Sequence, residues 1–203
     1  MGMFMRSRRI LKPVIFILAL IPLAWLIWRG AAGDLGANPP ETIDRFLGDW
    51  ALRFLILTLA LTPAKRFLGW TSGMSLRRML GLFAFFYASL HVTGYLVVNL
   101  GLNLEDFIKD VVKRTFITVG MGVYLCLLSL ALTSTSRMVK RLGAARWKAL
   151  HRLIYPAALA ACLHYFMMIK ADHLLPLLHL LVVIALLGAR LVQVPPPAKM
   201  NET

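Results

Sequence analysis

The sequence predicts an all-α membrane protein, a six-helix transmembrane bundle with both termini cytoplasmic. Three observations carry this. The 203 residues are 59% hydrophobic, with a mean hydropathy of +0.72, too apolar for a soluble domain of this size. Charged residues are only 16% and stand in clusters between apolar runs. The net charge of +14 is gathered in short connecting segments, where the positive-inside rule expects it, so it does not signal a nucleic-acid partner.

Taken in order, Arg6, Arg8, Arg9 and Lys12 precede the first apolar run, Pro13 to Trp28. Pro22 should bend this helix, and Trp25 and Trp28 fit an interfacial belt. No small-residue cleavage site follows, so the run reads as a retained helix and not as a signal peptide. Arg29 to Gly48 reads as a Gly/Pro-rich loop, with Thr42 capping a short helix. The second span is Asp49 to Leu61, reaching back to about Phe46 and stopped by Pro63. Arg53 then lies in its first turns and can snorkel outward. The third runs from Met79 to about Leu100. Gly101 to Thr115 is a polar loop holding an amphipathic segment, LEDFIKDVVKRTF. Phe116 to Leu132, Trp147 to Ile169 and Leu174 to Val192 complete the six spans. A polar, Pro-rich tail starts at about 193, and residues 1–203 read as one domain.

Six spans place both termini on one side, and the basic residues choose which. Of the 23 Lys and Arg, 16 fall at the termini and in the second and fourth connections, against seven on the other side. The richer side is cytoplasmic. Eight of the nine acidic residues fall outside, all but Glu202. An acidic outer face suits the docking of a soluble partner, and equally a plain solvated loop surface. Cys126 and Cys162 lie in apolar runs and read as free thiols. No Cys-x-x-Cys-His is present, so covalent c-type haem is not supported.

Ionisable groups inside membrane helices are costly and usually have a partner or a task. His91 lies in the third span, His151 and His164 in the fifth, and His179 in the sixth, while His173 is an outer-loop residue. His91 is 13 residues past Arg78 (91 − 78), and His164 is 16 past Lys148 (164 − 148). At ~1.5 Å per residue both imidazoles sit roughly 20–24 Å from the basic ends. They therefore share one depth in the outer half of the membrane. Gly81, Ala84 and Ala88 lead up to His91, and Ala157 and Ala160 to His164. Such small stripes either pack helices tightly or leave room for a flat macrocycle. Two facing imidazoles, with no carboxylate expected inside the spans, suit the two axial positions of one haem iron between helices 3 and 5. A haem so held carries electrons.

His151 is only three residues past Lys148 (151 − 148), near the cytoplasmic surface. It is open to several readings: a weaker ligand of a second haem, a residue of a quinone or flavin site, or an ordinary polar residue at headgroup level. Its level partner on the third helix would be near Arg78, where no histidine stands. Met167 and Met168 read as lipid or core contacts, and His179 as structural with a minor claim to a quinone contact.

Three stretches carry a resemblance: LGANPPETIDRFLGDWALRFLILTLALTPAKRF, RRMLGLFAFFYASLHVTGYL and LTSTSRMVKRLGAARWKALHRLIYPAALAACLHYF. They resemble the MsrQ family, formerly YedZ, over roughly Ile21 to Leu191. The resemblance implies a ferric reductase-like transmembrane domain, related to the membrane domains of NADPH oxidases, in the bacterial inner membrane. It implies a subunit that takes electrons from the quinol pool and passes them through haem b to MsrP. MsrP is a periplasmic molybdenum-cofactor enzyme that reduces methionine sulfoxide in damaged proteins. The catalytic subunit would then be the partner, in a heterodimer. FMN and a cytosolic flavin reductase are also linked to the family. The family's histidines match His91, His151 and His164. NADPH oxidases carry two haem-binding histidines on each of two helices, whereas this third helix has one. A membrane ferric or cupric reductase is the alternative reading, because the same membrane domain would serve a metal chelate.

Overall fold

The computed structural model describes residues 2–169 and 172–192, with side chains described from residue 11 onward. The tail expected from about 193 lies outside the described residues. Among the latter the regular structure is entirely helical: α1 (Gly2–Ala31), α2 (Pro39–Leu68), a 3₁₀ turn (Thr71–Leu76), and α3 (Arg77–Gly94), which runs on into a π turn (Tyr95–Asn99). Then follow α4 (Leu104–Lys113), α5 (Thr115–Leu132), α6 (Ser136–Leu142), α7 (Ala144–His151), α8 (Ile154–Met168) and α9 (Leu174–Gly188).

Four stretches are long and apolar enough to cross a membrane: Leu11–Ala31, Pro39–Leu68, Thr71–Asn99 and Thr115–Leu132. α8 and α9 have 15 residues each. That makes them about 22 Å long, short of a hydrocarbon core of about 30 Å. Large apolar side chains cover the outside, among them Leu57, Leu132, Leu163, Leu181 and Ile184, each 46–65% exposed. An apolar exterior of this extent belongs against lipid.

The prolines account for most departures from the expected boundaries. Pro39 and Pro40, expected in a loop, open α2. Proline at the first helical positions loses only an N–H that would be unpaired anyway. Asn38, not Thr42, caps that helix by accepting from Glu41 N–H. The loop expected over Arg29 to Gly48 is therefore short, and Asp44 and Asp49 are helical residues of a candidate span. This corrects the expectation that the spans carry no carboxylate. Pro63 does not end α2 either. Its missing N–H frees the carbonyl of Leu59, four residues back. Arg190 Nη2 takes that carbonyl at 2.7 Å, while Arg190 Nη1 donates to Tyr155 Oη at 2.9 Å. Helix α2 then continues to Gly69, whose left-handed φ of 66° caps it.

Pro156 breaks the expected fifth span where a mid-helix kink was predicted. Arg152 N–H donates to Ala149 and Leu153 N–H to Leu150, three residues back, so α7 tightens and stops before the proline. α8 starts afresh with Tyr155 N–H on the Arg152 carbonyl at 3.0 Å, the acceptor that Pro156 cannot serve.

The core lies between α2 and α3, where Phe54, Phe83 and Tyr87 stack with ring centroids 5.2–5.5 Å apart. Tyr87 is fully buried. Its hydroxyl donates to Ala19 carbonyl at 2.8 Å and accepts from Leu23 N–H at 3.2 Å. Those two groups are an i, i+4 pair of α1's own ladder, so the hydroxyl is inserted into α1 beside Pro22. Around this core, α3 also packs on α5, and α8 packs on α5 and α9. Beyond α3, the π turn and α4 lie together through a hydrogen bond from Tyr95 Oη to Asp110.

Candidate functional site: a pair of facing imidazoles

His91 comes from the last turn of α3, and His164 from the last turns of α8. Their rings meet across the bundle with centroids 6.2 Å apart and planes at 75°. The shared depth expected from residue counting thus becomes direct juxtaposition.

Each ring has one nitrogen committed. His91 Nδ1 lies 2.9 Å from the backbone carbonyl of Asp44, on α2. His164 Nδ1 lies 2.7 Å from the carbonyl of Phe116, on α5. A carbonyl can only accept, so Nδ1 carries the proton in both rings and Nε2 is left as the lone-pair nitrogen. This is the state in which histidine binds a metal, and the outer N–H on a carbonyl is the usual second-shell contact of such a ligand.

The spacing suits one shared ion. A metal about 2 Å from each ligating nitrogen, with about 1 Å more from each nitrogen to its ring centre, separates two centroids by roughly 6 Å. Among the described residues no group of three or more His, Cys, Asp or Glu comes together to hold a metal ion. The pair would therefore offer a metal two imidazole nitrogens, with no third His, Cys, Asp or Glu beside them among the described residues. The remaining positions fall to a ligand that brings its own equatorial donors, and a haem does so. On this test the residues present fit a haem.

The small residues that make room for these rings are not those marked in the sequence. Gly81 packs on Thr58 of α2, and Ala84 is fully buried, so this end of the α3 stripe serves close helix packing. The imidazoles instead lie against Gly48 of α2 and Gly120 of α5. Neither glycine nor the two carbonyls stood out in the sequence. The only signal was a glycine inside each apolar helical run, a weak one.

His151 is not part of this pair. It sits at the end of α7, stacked on Trp147 with centroids 4.0 Å apart. Its Nδ1 approaches the Trp147 carbonyl at 3.1 Å, and its Nε2 is buried without a hydrogen-bond partner. Trp147 is fixed in turn by donating Nε1–H to Thr133 carbonyl at 3.0 Å. His173 stacks on Phe166, with centroids 4.6 Å apart. His179 lines an apolar groove of about 370 Å³ between α2 and α9, with Trp50, Leu178 and Val182. Cys126 and Cys162 are free thiols, the latter buried.

The ferric reductase like transmembrane component family matches residues 47–162, more than half of the chain. That stretch holds His91, His151 and both glycines, and ends two residues before His164 (164 − 162). The protein-methionine-sulfoxide reductase heme-binding subunit MsrQ of Rhodospirillum rubrum is 48% identical over 192 residues, covering 94% of this chain and 92% of that one. The chain belongs to the MsrQ family. The MsrQ of Herminiimonas arsenicoxydans is 49% identical over 164 residues, 81% of this chain and 75% of its own. That of Caulobacter vibrioides is 44% identical over 174 residues, 86% and 83% respectively. With a transmembrane family and four candidate spans, the protein is an integral membrane protein.

Proposed function

We propose that this protein is the haem b-binding, electron-transfer subunit of an inner-membrane methionine sulfoxide reductase system. In this reading six helices span the membrane, both termini are cytoplasmic, and His91 and His164 supply the axial nitrogens. The observation that carries it is the pair itself: two rings 6.2 Å apart, each with Nδ1 on a backbone carbonyl. Bound there, the haem iron would take up and release one electron at a time. The chain's own residues orient the two imidazoles through the Asp44 and Phe116 carbonyls and hold them within the bundle.

The donor in this reading is a quinol of the membrane pool, which gives up two electrons and two protons. The acceptor is an MsrP-like periplasmic enzyme carrying a molybdenum cofactor, which uses two electrons and two protons to turn a methionine sulfoxide into methionine and water. The outer docking face in this reading is one of mixed charge: Glu41 pairs with Arg45, Glu105 and Asp106 with Lys109, and Asp110 with Arg114, at the end of the bundle where the His91–Asp44 contact lies. His151, at the other end, marks the entry side, where an FMN or a cytosolic flavin reductase would deliver electrons.

The test is reduction of the purified protein by a quinol analogue, followed by mixing with the oxidised partner. A low-spin b-type spectrum that is reduced by the quinol and reoxidised by the partner together with methionine sulfoxide is expected. Reoxidation by a ferric or cupric chelate at the same rate, with no response to the partner, would assign the chain to metal reduction instead.

A further inference from the structure

The two imidazoles are seated in the same way on different helices. On α2, the carbonyl that holds His91 belongs to Asp44, and the residue under the ring is Gly48, four positions later. On α5, the carbonyl that holds His164 belongs to Phe116, and the residue under the ring is Gly120, again four later. The spacing has a geometric cause. In an α-helix the Cα–Cβ bond tilts toward the N-terminus, so a side chain covers the turn before its own Cα. A side chain at i+4 therefore stands over the carbonyl oxygen of residue i. Glycine at i+4 removes that cover and lets a short imidazole from another helix come down onto the oxygen, with its ring against the helix backbone.

We propose that Gly48 and Gly120 are positioning residues that open the Asp44 and Phe116 carbonyls to His91 and His164, and so set the orientation and donor strength of both imidazoles. This rests on the haem-ligand reading above. A Cβ at Gly120 would stand 2.8 Å from His164 Cε1 and 2.9 Å from its Nδ1, too close for the ring to stay. A Cβ at Gly48 would stand 3.3 Å from His91 Cε1 and 3.4 Å from Nδ1, where a shift of a few tenths of an ångström is enough. The two seats thus differ in tolerance, which gives the proposal an internal scale. Gly122, two residues along α5, has nothing within 4 Å of an added Cβ and is the control on the same helix.

An imidazole whose N–H is held by a carbonyl is a more basic ligand, and a more basic ligand favours the ferric ion. Losing that hydrogen bond weakens binding and raises the midpoint potential. The experiment uses the full chain in nanodiscs, with Gly120→Ala, Gly48→Ala and Gly122→Ala compared by haem titration, low-temperature EPR and potentiometric titration. Gly120→Ala is expected to lose about 10- to 100-fold in haem affinity, with a changed low-spin signal and a more positive potential. Gly48→Ala is expected to move in the same direction by less, and Gly122→Ala to match the unmodified protein. If Gly120→Ala does not fold, Gly48→Ala decides: a positive shift supports the seats and an unchanged potential overturns them. Wild-type affinity, signal and potential in both seat variants would overturn the proposal, and so would an equal loss in Gly122→Ala. Failure of the underlying ligand reading looks different: the six-coordinate spectrum would then survive in His91→Ala and His164→Ala.

Discussion

Each imidazole of the central pair is fixed by a contact that its own helix does not provide. Residue counting from Arg78 and Lys148 placed His91 and His164 at one depth, and the 6.2 Å separation agrees. Depth was legible because both helices start from a basic edge and rise at a fixed pitch. The acceptors were not legible. A backbone carbonyl has no residue-type signature, and a glycine in an apolar run reads first as a lapse of about 0.5–1 kcal/mol in helix propensity. His151 shows the opposite case. Its stacking on Trp147 and its own-helix carbonyl are local, and they leave its Nε2 buried and unpaired on a separate helix from His164. His151→Ala should therefore keep the low-spin signal of the His91–His164 pair, read by low-temperature EPR on the oxidised protein. Loss of that signal would place His151 in the pair's ligand set.

At the scale of elements, the order of the apolar helices follows from the apolar runs, whereas their boundaries are set by prolines whose effect can depend on distant partners. Pro39 and Pro40 start α2, Pro63 is carried inside it, and Pro156 breaks the fifth span just upstream of itself. The difference between Pro63 and Pro156 lies in who satisfies the freed carbonyl. At Pro156 the chain does so locally, by restarting the helix on the Arg152 carbonyl. At Pro63 a residue 131 positions from Leu59 does so: Arg190, whose guanidinium also reaches Tyr155. No local pattern announces such a long-range partner. Arg66 adds to the joint by donating to the Arg190 carbonyl at 3.0 Å. Arg190→Ala leaves the Leu59 carbonyl and the Tyr155 hydroxyl without this partner. A loss of about 1–3 kcal/mol is expected, read as a lower unfolding midpoint in detergent. Arg190→Lys should restore little of it, because an ammonium lacks the guanidinium fork.

For the whole molecule, composition was enough to place the chain in a membrane, and the matched family agrees. The span count is the harder quantity. Four stretches meet the length of a full crossing, whereas α8 and α9 stop at 15 residues each. Helices of that length can still cross where the bilayer thins locally or flanking residues snorkel. Arg152, just before α8, stands at an end where snorkelling would act. With the proposed six spans, the positive-inside count would put both termini in the cytoplasm. Reporter fusions at residues 1 and 203 should both report cytoplasmic, and a fusion in the connection after α3 should report periplasmic. Opposite sides for the two termini would require an odd number of spans.

Whether His91 and His164 hold one haem between them, as proposed, is decided by haem quantitation with absorption and EPR spectra of the single alanine variants. His91→Ala and His164→Ala should each lose the six-coordinate low-spin signal, with haem retained only weakly or not at all. Retention of that signal at full haem content in both variants would rule the pair out as the ligands.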